Sequence, residues 1–126
     1  MQFPTDYKYS KEHTWLQPVD NHLALIGITE FAQGELGEIV YVDLPKVGDK
    51  FKKEEVFGSV EAVKTTSDLF MPVGGEVIEV NSALKDNPAL VNNESFTSGW
   101  MIKIKLLNYT EVDSLLTAEE YKTMVS

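Results

Sequence analysis

The sequence predicts a mainly β domain with short helices and a helical C-terminal tail. Three observations carry that expectation. Short runs of β-branched and aromatic residues, several of them alternating, recur along most of the chain. Turn residues punctuate them at close intervals, as in "DN", "KVGD" and "VGG". Only the last stretch changes from a strand period to a helical one.

In order, "TWLQPV" at 14–19 and "HLALIGI" at 22–28 read as strands separated by the turn pair Asp20 and Asn21. Pro18 has no N–H to give to a ladder, which confines the first run to an edge or a strand end. Thr29 is placed as a helix N-cap, with Phe31, Ala32 and Leu36 as a partial apolar stripe and Gly37 as the stop. "EIVYVDL" then runs as a strand to Pro45, and "KVGDK" turns. "VFGSVEAV", "DLFMPV", "GEVIEV" and "WMIKIKL" complete the strands. Residues 81–99 are polar and turn-rich, with one short helical turn expected around Pro88 to Val91. In the tail, Thr117 stands three residues before Glu120, the capping-box spacing, and Leu115, Leu116, Tyr121 and Met124 form the patch expected to face the β core.

"GEIVYV" at 37–42 echoes "GEVIEV" at 75–80, and each follows a glycine next to a β run, Gly27 and Gly58. If the two halves are pseudo-repeats, the second carries the extra residues where Lys64 lies.

A chain of 126 residues suits one domain, 1–126, with a β core over about 7–107 and a helical tail over 110–125. Such a length buries roughly two-thirds of the surface its unfolded form exposes. Twenty acidic against 11 basic residues give a formal charge of −9. That argues against nucleic acid, whose surfaces need clustered cations, and against anionic membranes, and it favours positively charged faces of partner proteins. With no cysteine, disulfides, thiolate metal sites and a cysteine nucleophile are excluded, and redox chemistry has to come from an attached group. No apolar run approaches the roughly 20 residues of a membrane helix. The opening "MQFPTDYKYS" has neither a signal-peptide core nor transit-peptide arginines, so the chain is expected to stay where it is made, or to be a mature form.

Conventional catalytic signatures are missing: no nucleophile elbow, P-loop, dinucleotide fingerprint or zinc-protease motif. His13 and His22 are the only histidines, nine apart, a spacing that suits no common metal site. Carboxylate pairs occur everywhere, and Trp100, Met101, Phe70 and Met71 read as packing residues. What stands out is Lys64, a cation at the interruption of "GSVEAVKTTSDLF", residues 58–70. An exposed ion pair contributes only about 0 to 1 kcal/mol, and burying an unpaired ammonium costs several kcal/mol. Stability therefore gives no reason for it.

"GSVEAVKTTSDLFMPVGGEVIEVN", with "IGITEFAQGELGEIVYVDLPKVGD" before it and "GWMIKIK" after, resembles the glycine cleavage system H protein family over about residues 7–125. The match takes in the N-terminal "KEHTW" and the C-terminal helix, so it reaches beyond a generic lipoyl domain. The resemblance implies a lipoyl/biotinyl-domain-like sandwich (a barrel-sandwich hybrid) of two small antiparallel sheets plus the C-terminal helix, with lipoic acid amide-linked to Lys64 at an exposed hairpin turn. Biotin carriers place methionines on both sides of the lysine; Val63 and Thr65 stand there instead, which favours lipoate. Glu61, Gly75 and Gly48 match positions around lipoylated lysines and are carried over as lipoylation-recognition residues.

The family's role is that of a carrier without catalytic residues. Its arm takes the aminomethyl group of glycine from the pyridoxal-phosphate glycine decarboxylase (P protein) and passes it to the folate-dependent aminomethyltransferase (T protein). Dihydrolipoamide dehydrogenase (L protein) reoxidises the arm, and a lipoate ligase or lipoyl transferase installs it. A surface cleft shelters the loaded arm, and the matching positions are Glu12, Thr14 and Asp68. The family commonly has glutamate where this chain has Thr14. Residues 12 and 14 would share a strand face, so Glu12 is expected to supply the carboxylate and Glu12→Gln to speed loss of methylamine from the arm. The resemblance further implies a monomer, in a bacterial cytoplasm or, for a processed eukaryotic form, the mitochondrial matrix, with no metal. An alternative is a lipoyl relay that passes lipoate to other carriers. A Schiff-base lysine enzyme needs a desolvating pocket or a neighbouring cation, and the residues around Lys64 suggest neither.

Overall fold

The computed structural model describes residues 1–20 and 22–126. Two antiparallel sheets pack face to face. The larger is assembled in the order β1 (Lys8–Tyr9), β2 (Thr14–Pro18), β3 (Leu23–Ile28), β9 (Ile102–Leu106), β8 (Gly75–Val80) and β5 (Lys50–Phe51). The smaller is β4 (Ile39–Asp43), β6 (Val56–Ala62) and β7 (Thr66–Phe70), with β6 in the middle. Short helices α1 (Glu30–Leu36), α2 (Ala83–Asp86), α3 (Ala89–Asn93) and α4 (Ala118–Val125) fill the ends. A 3-10 turn over Tyr109–Ser114 precedes α4.

Alternation along the strands decides the layers. Leu16, Ala24, Ile26 and Ile28 of the larger sheet meet Val42, Phe57, Val60 and Leu69 of the smaller in one buried core. The larger sheet is covered on its other side too, where Trp15, Tyr7, Tyr9, Phe96 and Tyr121 form a second, aromatic cluster. Tyr9 and Tyr121 stack with ring centres 4.9 Å apart. This cluster needs Gly27: a Cβ there would stand 2.5 Å from the Trp15 ring, and Trp15 is its cross-strand partner. The Trp15 indole N–H is satisfied by the Ser95 carbonyl at 3.0 Å.

The turns work as their residues dictate. Asp20 Oδ1 accepts from the His22 and Leu23 N–H groups at 2.8 and 2.9 Å; its partner in the expected turn, Asn21, lies outside the described residues. Thr29 Oγ1 accepts from the Ala32 N–H, and Gly37 ends α1 at φ 82°. The capping box of Thr117 and Glu120 is formed in both directions. The Asn92 side chain accepts the N–H of Ile39 at 2.9 Å, so α3 ties itself to an edge strand that would otherwise present a free donor.

Some expectations change. β1 and β5 are two residues each, too short to show a period, and the helical α2 occupies part of the irregular 81–99 stretch. β7 starts at Thr66 because the hairpin register pairs Thr66 with Glu61. Met124 is 41% exposed; Val125 packs against the aromatic cluster in its place. The echoing segments are both strands, but β4 lies in the smaller sheet and β8 in the larger. Helix α1 precedes the first and the Lys64 hairpin the second.

Candidate functional site

Lys64 sits at the tip of the β6–β7 hairpin, exposed. The tip is held from both sides: the Ala62 N–H donates to the Thr65 carbonyl at 2.7 Å, and the Val63 N–H donates to the Glu38 carbonyl at 3.1 Å. The backbone is thus fixed while the side chain stands exposed. Glu61 is exposed one step back along β6, paired with Tyr41 on one side and Thr66 on the other.

Gly48 lies in the turn before β5, and Gly75 lies in the larger sheet. Gly48 turns the chain at φ 99° and donates its N–H to the Val77 carbonyl at 2.7 Å. Gly75 sits in β8, where a Cβ would approach Ile104 Cδ1 to 2.7 Å. Both have a local structural reason to be glycine, and among the described residues no hydrogen bond joins them to the hairpin.

Glu12 and Thr14 line one cleft of about 350 Å³ with Asp68, which is distant from them in sequence. Its apolar walls come from Ile28, Phe31, Leu36 and Leu69, and the free edge of β7 borders it. The expected strand face for residues 12 and 14 is not what brings them together. β2 begins only at Thr14, and the preceding turn puts His13 at φ 70°, so strand alternation does not apply across these residues. Thr14 is buried and its hydroxyl shares a 2.6 Å hydrogen bond with Ser10, which commits it inward.

The sequence reading missed Glu35, which lines the same cleft from α1. The signal was the spacing: Phe31 and Glu35 are four apart on the helix and share a face. The spacing of His13 and His22 points to no metal site, yet His13 borders the cleft too. Its Nδ1 shares a 2.8 Å hydrogen bond with the Tyr121 hydroxyl, which in turn shares one of 2.7 Å with the Thr29 cap. Burial pulls the His13 pKa below the ordinary 6.5, against the upward pull of Glu12 and Glu35. Burial raises the Tyr121 hydroxyl above 10.0, with the Thr29 bond acting the other way.

A second cavity, about 450 Å³, lies beside Lys64 and is lined by Glu35, Leu36, Gly37, Glu38 and Val63 among others. Glu35 and Leu36 border both cavities. The last turn of α1 therefore forms a wall shared by the lysine end and the cleft. Asp68 is four residues beyond Lys64, about 13 Å at most at roughly 3.3 Å per residue. Among the described residues no cluster of His, Asp and Glu is arranged to hold a metal, and no helix is long and apolar enough to cross a membrane.

A sandwich of two antiparallel sheets with short helices and a hairpin at its end defines a lipoyl-domain-like fold. Comparison with known proteins narrows this. The model of the family described as Glycine cleavage H-protein matches residues 7–126. The chain is 49% identical over 126 residues to the glycine cleavage system H protein of Bacteroides fragilis, spanning 100% of this chain and 99% of that protein. It is also 49% identical over 125 residues to that of Staphylococcus carnosus, with 99% and 98% covered. Its fold is similar to the crystal structure of a glycine cleavage system H protein from Mycobacterium marinum, with TM-score 0.88 and 35% identity over 97% of this chain and 98% of that one. The chain belongs to the glycine cleavage H-protein family, and is a carrier component of the glycine cleavage system.

Proposed function

We propose that Lys64 carries lipoate in amide linkage and that the chain shuttles the aminomethyl group of glycine from the decarboxylase to the folate-dependent aminomethyltransferase, with dihydrolipoamide dehydrogenase reoxidising the arm. The observation that carries this reading is the shared wall of α1, which runs from the exposed lysine to a cleft with carboxylates at Glu12, Glu35 and Asp68. Amide-linked to Lys64, lipoate would supply an apolar tether ending in a redox-active disulfide. The protein does the rest without catalysing. Ile28, Phe31, Leu36 and Leu69 suit an apolar arm, and the carboxylates suit the positive charge of an amine at its end.

Thr14 does not offer a carboxylate, and its hydroxyl is already taken by Ser10. Glu12 and Glu35 stand close enough to act on His13, so the negative charge absent at residue 14 is supplied by its neighbours. Glu61 flanks the lysine and serves the ligase or transferase that acylates it, whereas Gly48 and Gly75 contribute by shaping the fold. The chain works as a monomer in a bacterial cytoplasm. Reconstitution with the three enzymes tests the reading: glycine-dependent reduction of NAD should require the lipoylated chain and fail with Lys64→Arg. A lipoyl relay would be lipoylated yet inert in that assay.

A further inference from the structure

Beside Glu61 and Asp68, the outer face of the smaller sheet carries side chains that shelter and presentation of an arm do not use. Register places Tyr41, Glu61 and Thr66 in one cross-strand row, and Asp43, Ser59 and Asp68 in the next. These side chains point away from the core, which takes Val42 and Val60 instead. The pairing of β4 with β6 shifts between Ile39 and Tyr41. Strict alternation would turn only one of Val40 and Tyr41 outward; the bulge exposes both, at 47% and 48%. Bulges re-aim side chains at the expense of ladder pairing. Val63, next to the lysine, is 66% exposed. The face thus combines an aromatic, two valines and the carboxylates of Asp43, Glu61 and Asp68. None of these strand positions holds a cation, and acylation would remove the charge of Lys64 itself.

We infer that this face, centred on Tyr41, docks against a basic rim around the arm-accepting entrance of the glycine decarboxylase. The inference rests on the shuttle reading. The enzyme that loads the arm meets it uncharged, so attraction has to come from the carrier's surface, and Asp68 is then not engaged by an amine. A half-exposed tyrosine ringed by carboxylates fits that role, since tyrosine is enriched at the centres of interfaces and complementary charge speeds encounter.

The experiment uses lipoylated wild type, Tyr41→Ala, Tyr41→Phe and Asp43→Asn, with Glu119→Gln on α4 as a remote control. Purified decarboxylase is assayed by glycine-dependent bicarbonate exchange against carrier concentration. Tyr41→Ala should raise the carrier KM about tenfold with kcat within about twofold, and Asp43→Asn should raise it less and weaken its salt dependence. Tyr41→Phe and Glu119→Gln should match wild type. Intact mass and thermal melting check that each variant is lipoylated and folded. If Tyr41→Ala fails to fold, Asp43→Lys takes its place, with an expected KM increase of about tenfold. Unchanged KM in Tyr41→Ala and Asp43→Asn, or a loss seen only with the aminomethyltransferase, would overturn the docking assignment while leaving the shuttle intact. A lipoylated wild type that supports no exchange would instead overturn the shuttle reading.

Discussion

Tyr121→Phe isolates the link between the C-terminal helix and the cleft. The substitution keeps the ring stacked on Tyr9 at 4.9 Å and edge-on to Phe3 at 6.0 Å. It removes only the hydroxyl, with its bonds to His13 at 2.8 Å and Thr29 at 2.7 Å. No cavity opens beyond one oxygen, so transfer and packing losses are small. Each neutral hydrogen bond contributes about 0.5 to 1.5 kcal/mol net. Thr29 is buried but still accepts from the Ala32 N–H, so its oxygen is not orphaned. The sum is about 1 to 3 kcal/mol, or a melting point lower by roughly 4 to 12 °C for a domain of this size. Tyr121→Ala, which also forfeits the ring contacts, should cost about 3 to 5 kcal/mol. Urea unfolding monitored by tryptophan fluorescence measures both. A loss under about 0.5 kcal/mol for Tyr121→Phe would refute the claim that the hydroxyl holds His13 and the α1 cap together, and equal losses for the two variants would show that the hydroxyl, not the ring, carries the contact.

Other outcomes follow from the same structure. Gly27→Ala forces a Cβ to within 2.5 Å of the Trp15 ring, so urea unfolding should show a loss of about 1 to 3 kcal/mol or more. Glu12→Gln and Glu35→Gln should each lower the His13 pKa further, read by NMR titration of its ring, because both carboxylates now hold it up against burial; unchanged titration would remove them from the cleft's electrostatics. Since the native His13 pKa is below 6.5, the unfolded chain binds a proton that the native chain refuses. Stability should then fall as pH drops from about 6.5 through the lowered native value, and His13→Gln should flatten that limb. At the other end, burial raises Tyr9 and Tyr121 above 10.0, so denaturant midpoints should fall as pH rises beyond about 10.

The elements legible in the sequence were those whose cause is local. Thr29 and Gly37 bracket α1, Thr117 and Glu120 cap α4, and "GEVIEV" is β8 end to end. The two-residue strands were not legible, because Lys8–Tyr9 and Lys50–Phe51 exist only through their partners β2 and β8. Lys64 could be singled out because nothing local explained it. The cleft was legible in part: Glu12, Thr14 and Asp68 do meet. The reason given for Glu12 was not the operative one, since a left-handed His13 replaces the expected strand. Glu35 escaped notice because its role depends on where α1 packs, a tertiary fact. Tyr41 escaped for a similar reason, since alternation in "EIVYVDL" gives no hint of the bulge that turns it outward.

The central claim is that Lys64 is a tether. Intact mass with peptide mapping, on protein made in cells supplied with lipoate and beside Lys64→Arg, tests it most directly. The expected result is one lipoyl increment on the peptide that contains Lys64, absent from the variant, with the net formal charge moving from −9 to one unit more negative. An unmodified Lys64 in the presence of an active ligase would contradict the account, and the cleft would then have no arm to shelter.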